Sequence, residues 1–399
     1  MKRPLRIAVI AEHSRAFTRE MLAGIASAAQ ERDEWALELV DPAAFGHIDL
    51  SGYDAFIARI LSDADANRLA DTGKPVVDVF GRSDRLEFPC ARPNNAIIGR
   101  LAAEHFLSRR FTSFAYCGYD GICYSDLRQS SFRKALANAG FDCSSYATPS
   151  KALNRFRRGV RRNDILGSDG DERQLAAWIK TLPNKTAVFC ANDLKAAQLL
   201  SVIRASGRTV PENLAILGVD DDPILCSFSS PALSSVNPNA QAVGRRAAAL
   251  LDLLLRGKRT IPLSLITPKG ISTRSSSETY PIEPKWLSDA LVFIHRSVSS
   301  NLSAAQVYAH VNLSHTTVDA AFRKTLGTSV QKEIAKARLE MAQRLIKAGE
   351  LPLKQISQLA GFASHAYFTR AYSAAFGHPP SAVISDSPRQ LLHQNTRCA

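Results

Sequence analysis

The chain has 399 residues with 45% hydrophobic and 22% charged side chains, ordinary globular values that predict two or three domains and sizeable cores. Apolar runs such as 247–251 and 253–255 are too short for the roughly 18 residues of a membrane span, so no membrane partner is expected. Seven cysteines without a C-x-x-C spacing argue against a disulfide or zinc framework and for reduced thiols in a cytoplasm.

The N-terminus, MKRPLRIAVIAEHSRA, superficially suggests a signal peptide. Arg6 interrupts its apolar patch and no small-residue cleavage site follows, so Leu5–Ala11 reads as a buried first strand. Short apolar runs then recur to residue 275: RIAVIAE, ALELV, YDAFIARI, PVVDVF, FTSFAYCG, TAVFCA and LAILGVDD. They alternate with segments of helical period at 15–31, 94–109, 126–139, 171–182, 193–206 and 240–256. Strand and helix in alternation predict βαβ units, parallel sheets covered on both faces, and a ligand at the carboxyl ends of the strands. The sequence holds no G-x-G-x-x-G, Walker A, H-E-x-x-H or G-x-S-x-G, so no nucleotide, metal or cofactor chemistry is expected. The run RFRRGVRR (155–162) reads as an exposed basic loop.

Serines, two prolines and no period mark 274–285 as a linker; everything beyond it to Ile384 is helical in pattern. The boundaries read are 1–275 for the α/β module, 276–287 for the linker, 288–386 for the helical domain, and 387–399 for a polar tail. From Lys285 onward 13 Lys and Arg face 6 Asp and Glu, so this last 115 residues carries +7 of the net +13. That excess favours a polyanion partner.

The helical domain repeats itself. SHTTVDAAFRKTLG (314–327) and SHAYFTRAYSAAFGHPP (364–380) both open on Ser-His, with the serines 50 positions apart. Each follows a short helical segment and a turn, at Asn312 and Gly361, where left-handed backbone is tolerated. Short helix, tight turn and serine-capped second helix is helix-turn-helix grammar. The 329–350 segment between them would be a spacer about 30 Å long, close to the 34–36 Å of one DNA turn.

These residues resemble the AraC-type DNA-binding domain over about 288–385, carried by Ile356, Gly361-Phe362, Ser364, Tyr367-Phe368, Arg370, Phe376-Gly377, Pro379, Ser314, Phe322, Gly327, Arg338 and the LEMAQRLI run. Tyr308, Asn312 and Ala321 depart from the family's small residue, glycine and basic residue. The resemblance implies groove-side positions at His315, Thr316 and Asp319 in the first unit, and at His365, Ala366 and Thr369 in the second. Arg323, Lys324 and Arg370 are assigned to phosphates; Phe322, Tyr367, Phe368, Tyr372 and Phe376 are assigned to the core.

Residues 5–275 resemble the two-lobed periplasmic-binding-protein-like module of lac-repressor-type regulators, through AVIAEHSRAFTREMLAGI, PNNAIIGRLAAEHFLSRRF, SDLRQSSFRKAL, VFCANDLKAAQLL, VPENLAILGVDDDP and LSSVNPNAQAVGRRAAALL. The two resemblances together are similar to bacterial regulators of the xylose operon. They imply a multidomain chain: an α/β two-lobed module followed by an all-α double helix-turn-helix domain. The implied effector contacts are the Arg128 fork, Asn192 as donor and acceptor, Asp220 accepting hydroxyl protons, and His13 and Phe17 against one ring face. Asp193 and Asp221 read as helix-start and turn residues, and an Arg128–Asp220 ion pair is the competing structural role. FGRS (80–83) and Pro238 depart from the Asp-Arg and Gln common in sugar binders of this fold.

The function expected is a cytoplasmic, sugar-responsive transcription activator of pentose, D-xylose-like, catabolic genes. Its expected partners are an operator duplex, a sugar effector, RNA polymerase and a second copy of itself. A solute-binding protein without direct DNA regulation, or a regulator of another carbohydrate, is the alternative. A sugar hydrolase would need two carboxylates flanking a substrate, which the adjacent Asp220-Asp221-Asp222 do not offer.

Overall fold

The computed structural model describes residues 3–32, 34–81, 88–148, 169–300, 302–349 and 351–385; the basic run 155–162, Arg82 and Ser83 of FGRS, and the tail 387–399 lie outside them. The chain divides into two compact units, Met1–Glu278 and Thr279–Ala399.

The first unit holds two six-stranded sheets. One contains, in spatial order, β11 (Leu263–Ile266), β5 (Cys90–Pro93), β4 (Val76–Asp78), β3 (Ala55–Ala58), β1 (Leu5–Ile10) and β2 (Trp35–Val40), all parallel. The other is β12 (Gly270–Ser272), β10 (Ser234–Asn237), β9 (Leu214–Val219), β8 (Thr186–Cys190), β6 (Ser113–Tyr119) and β7 (Ser144–Thr148), parallel except for β12. Central strands such as AFIA in β3 and LAILGV in β9 are buried throughout, as strands covered on both faces must be.

The chain passes between the lobes three times. After β5 it crosses at Pro93–Asn95 into α3 (Asn95–Ser108), whose Ile98, Ala102 and Phe106 enter the second-lobe core. After β10 it returns through Asn237–Asn239 into α8 (Ala240–Leu255), whose Val243, Ala247 and Leu251 join the first-lobe core. The third passage is β11 to β12. In the first lobe α8 packs on α1 (Ala16–Gln30) so closely that a Cβ at Gly24 would strike the Gln241 carbonyl, and one at Gly244 the Met21 carbonyl. Two glycines in otherwise alanine-rich helices are thereby explained by backbone contact, not flexibility. The remaining helices are α2 (Asp63–Ala70), α4 (Cys123–Asn138), α5 (Asp169–Thr181), α6 (Asp193–Ala205) and α7 (Pro223–Phe228).

Residues 276–278 belong to the first unit and 279–287 to the second. Ser276 is fully buried, its N–H donating to Ala232 O (2.9 Å) and its hydroxyl to Ile216 O (2.7 Å). The Ser277 hydroxyl meets His105 Nε2 at 2.8 Å. Tyr280 is already in the core of the second unit, and α9 (Lys285–Ser297) starts three residues before the expected 288. Serines read as spacer are here the polar pairing of a sheet end, a use that composition cannot distinguish from solvation.

The second unit is all helical: α9, α10 (Ala304–Val311), α11 (His315–Ala321) continuing through a π-type turn Phe322–Leu326, α12 (Val330–Ala348), α13 (Leu353–Leu359), α14 (His365–Phe376) and α15 (Pro380–Ser385). Serines 303, 314, 329 and 364 each accept the backbone N–H three residues on, and Ser303 with Gln306 forms a full capping box. Asn312 and Gly361 take positive φ at +52° and +73° between the paired helices. The 19-residue α12, about 28 Å long at 1.5 Å per residue, serves two cores: Val330, Ile334 and Ala337 face α9–α11, and Ala342 and Ile346 face α13–α14.

Candidate functional site

A cleft lies in the first unit where the two lobes face each other beside the crossings. Counted out to its open mouth it encloses about 550 Å³ and is lined by Phe17, Val79, Phe80, Pro93 and Tyr124, with Arg15, Thr18, Arg59, Arg92, Asn95, Arg128, Asn192 and Asp220. That mixture of apolar wall and convergent polar groups suits a small ligand. Both lobes contribute, since Phe17 follows β1, Phe80 follows β4, and Tyr124, Arg128, Asn192 and Asp220 follow β6, β8 and β9.

Arg128, on α4, is 4% exposed; its Nε donates to Asn95 Oδ1 (2.9 Å), its Nη1 to Ala191 O, and its guanidinium lies 5.0 Å over the Tyr124 ring. It makes no ion pair with Asp220 within 4.0 Å. Asn192 caps α6 by accepting Lys195 N–H at 2.9 Å, and it also accepts the Tyr119 hydroxyl at 3.4 Å while its amide reaches Tyr124 OH at 3.4 Å. Asp220 sits after β9 with φ +120°. Burial pushes its carboxyl up to about 6 against the pull of Arg128, Arg15 and Arg59.

Four of the five expected effector residues therefore meet in one cleft: Phe17, Arg128, Asn192 and Asp220. His13 does not. It is exposed and outside the lining, and Arg15, two residues on, lines the cleft instead. The sequence reading also missed Arg59, Arg92, Asn95, Phe80 and Tyr124. Arg59 and Phe80 follow β3 and β4 at the strand ends where a ligand is expected, a positional signal that was available. Asp193 is buried, accepting Asp222 N–H (2.9 Å) and the Ser235 hydroxyl (2.6 Å); burial, with Asp220 nearby, pushes its carboxyl well up. Asp221 pairs with Arg274 at 2.8 Å and accepts the Ser272 hydroxyl. Both serve the loop.

In the second unit His315, Thr316, Arg323 and Lys324 are exposed on α11 and its continuation; His365, Ala366 and Arg370 are exposed on α14. Arg323, Lys324 and Arg370 have no ion-pair partner among the described residues. Two candidates are tied down: Asp319 accepts the Tyr308 hydroxyl at 3.1 Å, and Thr369 donates to His365 O at 3.0 Å. Tyr308, noted as out of pattern, thus has Asp319 as its partner. Tyr367 is 49% exposed and corrects its core assignment, whereas Phe322, Phe368 and Tyr372 are fully buried. At the third position of α14, in its exposed first turn, Tyr367 packs with its ring centroid 6.0 Å from that of Phe362.

Comparison with known proteins agrees with both halves. Residues 103–277 match the periplasmic binding protein-like domain and 307–385 match a helix-turn-helix domain. The xylose operon regulatory protein of Escherichia coli (strain K12) is 26% identical over 94% of this chain and 95% of its own. It is a transcription regulator with the domain plan of the xylose operon regulatory proteins. The regulator is also similar to the Haemophilus influenzae protein of that name, at 22% identity over 94% of this chain and 97% of that one. A solved xylose-binding transcription activator, xylR, shares its fold at TM-score 0.58 and 23% identity, covering 95% of this chain and 97% of that chain. Its helix-turn-helix domain makes duplex DNA a partner of the regulator. Among the described residues no helix is long and apolar enough to cross a membrane.

Proposed function

We propose that the regulator activates sugar-catabolic genes when a pentose-like sugar occupies the cleft between its lobes. The observation that carries this reading is the convergence of Arg128, Asn192, Asp220 and Phe17, from both lobes, at the passages on which the lobes would turn. A ligand touching both lobes favours the closed form by whatever contacts the open form lacks. A tenfold gain in operator affinity needs only about 1.4 kcal/mol of such preference. We read the chain as a binding protein, not an enzyme, working in the cytoplasm with RNA polymerase as a partner. It acts as a homodimer through the effector module, where α7 presents Ile224 and Phe228 at 59% and 88% exposure.

The test is selection of duplexes from a random library by the full chain, with and without a panel of pentoses and hexoses. Paired half-sites about one helical turn apart, enriched further by one sugar, are expected. No enrichment of any sequence would defeat the reading; enrichment that no sugar alters would defeat its effector half.

A further inference from the structure

The cleft carries more positive charge, and fewer spare acceptors, than a neutral sugar needs. Arg15, Arg59, Arg92 and Arg128 all line it, against one lining carboxylate, Asp220, among the described residues. Arg15 Nε and Arg59 Nη1 share a single carboxylate oxygen, Glu12 Oε1, at 3.1 and 3.6 Å. Arg59 is otherwise held by the Phe80 ring, 4.8 Å beneath its guanidinium, and makes no side-chain hydrogen bond within the described structure. Arg128 gives its bonds to neutral oxygens. Arg92 donates to Gly81 O at 2.8 Å and is attracted by Asp78, whose carboxylate accepts the backbone N–H groups of Phe80 and Gly81 at 2.8 and 2.9 Å.

Every hydroxyl of a neutral sugar brings a proton that wants an acceptor, and arginine has none to give. Of the amide oxygens of the lining, Asn192 Oδ1 already accepts from Lys195 N–H and Tyr119, and Asn95 Oδ1 accepts one bond from Arg128. Asp220 remains as the strong acceptor. Planar guanidinium groups matched to oxyanions, in a site of low water content, are the usual protein answer to a carboxylate or phosphate.

We infer that the effector is a sugar derivative bearing an anionic group, a carboxylate or a phosphate, which Arg15, Arg59 and Arg128 receive while Asp220 takes its hydroxyls. This rests on the reading of the cleft as the effector site.

The experiment is calorimetric titration of the full chain with D-xylose, D-xylonate and D-xylose 5-phosphate, each at about 50 and 300 mM salt. One of the anions should bind about tenfold or more tighter than D-xylose, with the advantage shrinking at high salt; which one distinguishes carboxylate from phosphate. Arg59→Gln should lose most of that advantage, its melting in the absence of ligand serving as the check on folding. D-xylose binding as tightly as both anions would overturn the inference and leave the sugar cleft standing. Binding of none of the three would overturn the inference and the pentose reading together. If Arg59→Gln does not fold, the comparison of the three ligands on the unaltered chain decides alone.

Discussion

Asp220 occupies a position that function has made costly. Its carboxyl rests at about 6 in the folded chain against an ordinary 3.8, chiefly because burial penalises the charge. Between those values the native chain holds a proton that the unfolded chain has released, so this group's contribution to stability falls as pH rises from about 4 to 6. Asp220→Asn should therefore raise the ligand-free stability at neutral pH by up to about 3 kcal/mol, an advantage that disappears near pH 4, while weakening sugar binding. Urea titrations of both chains across that range check it. A variant no more stable than wild type at neutral pH would mean that the neighbouring guanidiniums already compensate the charge.

The turns of the two helix-turn-helix units look equivalent by backbone angle and are not equivalent by packing. At Gly361, with φ +73°, a Cβ would run into the Val298 carbonyl, whereas Asn312 at φ +52° already carries a side chain in an exposed turn. Gly361→Ala should cost about 2 kcal/mol or more, combining left-handed strain with a clash; Asn312→Gly should be close to neutral. Thermal unfolding of the two variants separates them. The repeat itself was legible, because serine caps and apolar spacing are local signals. That Asp319 supports Tyr308, and that Tyr367 faces outward, was not, since a helix's exposed face depends on what packs against it.

Two serine-capped helices, α11 and α14, with α12 between them, carry exposed basic residues that bear on how the whole molecule meets a polyanion. Arg323, Lys324 and Arg370 are exposed, and the role proposed for them is to neutralise backbone phosphates. Affinity for operator DNA should fall steeply on a log–log plot between about 50 and 200 mM salt, and Arg370→Ala should reduce that slope by about one while weakening all sequences alike. Anisotropy titrations on specific and unrelated duplexes read both. A slope unchanged in the variant, with loss at one base position only, would reassign Arg370 from phosphate to base.

By itself the sequence determined the alternation of strand and helix to residue 275, the doubled helix-turn-helix and the charge that suits it to DNA. These rest on period, capping and composition, which act within a few residues. Phe17, Arg128, Asn192 and Asp220 were found through motif, one at a time. Only the tertiary structure decided that they share a cleft with Arg15, Arg59 and Arg92, and that His13 stays outside. It also decided that the serines at 276 and 277 close a sheet. Each of these depends on chain that returns from the other lobe or from tens of residues away, a proximity set by packing and invisible to any local pattern.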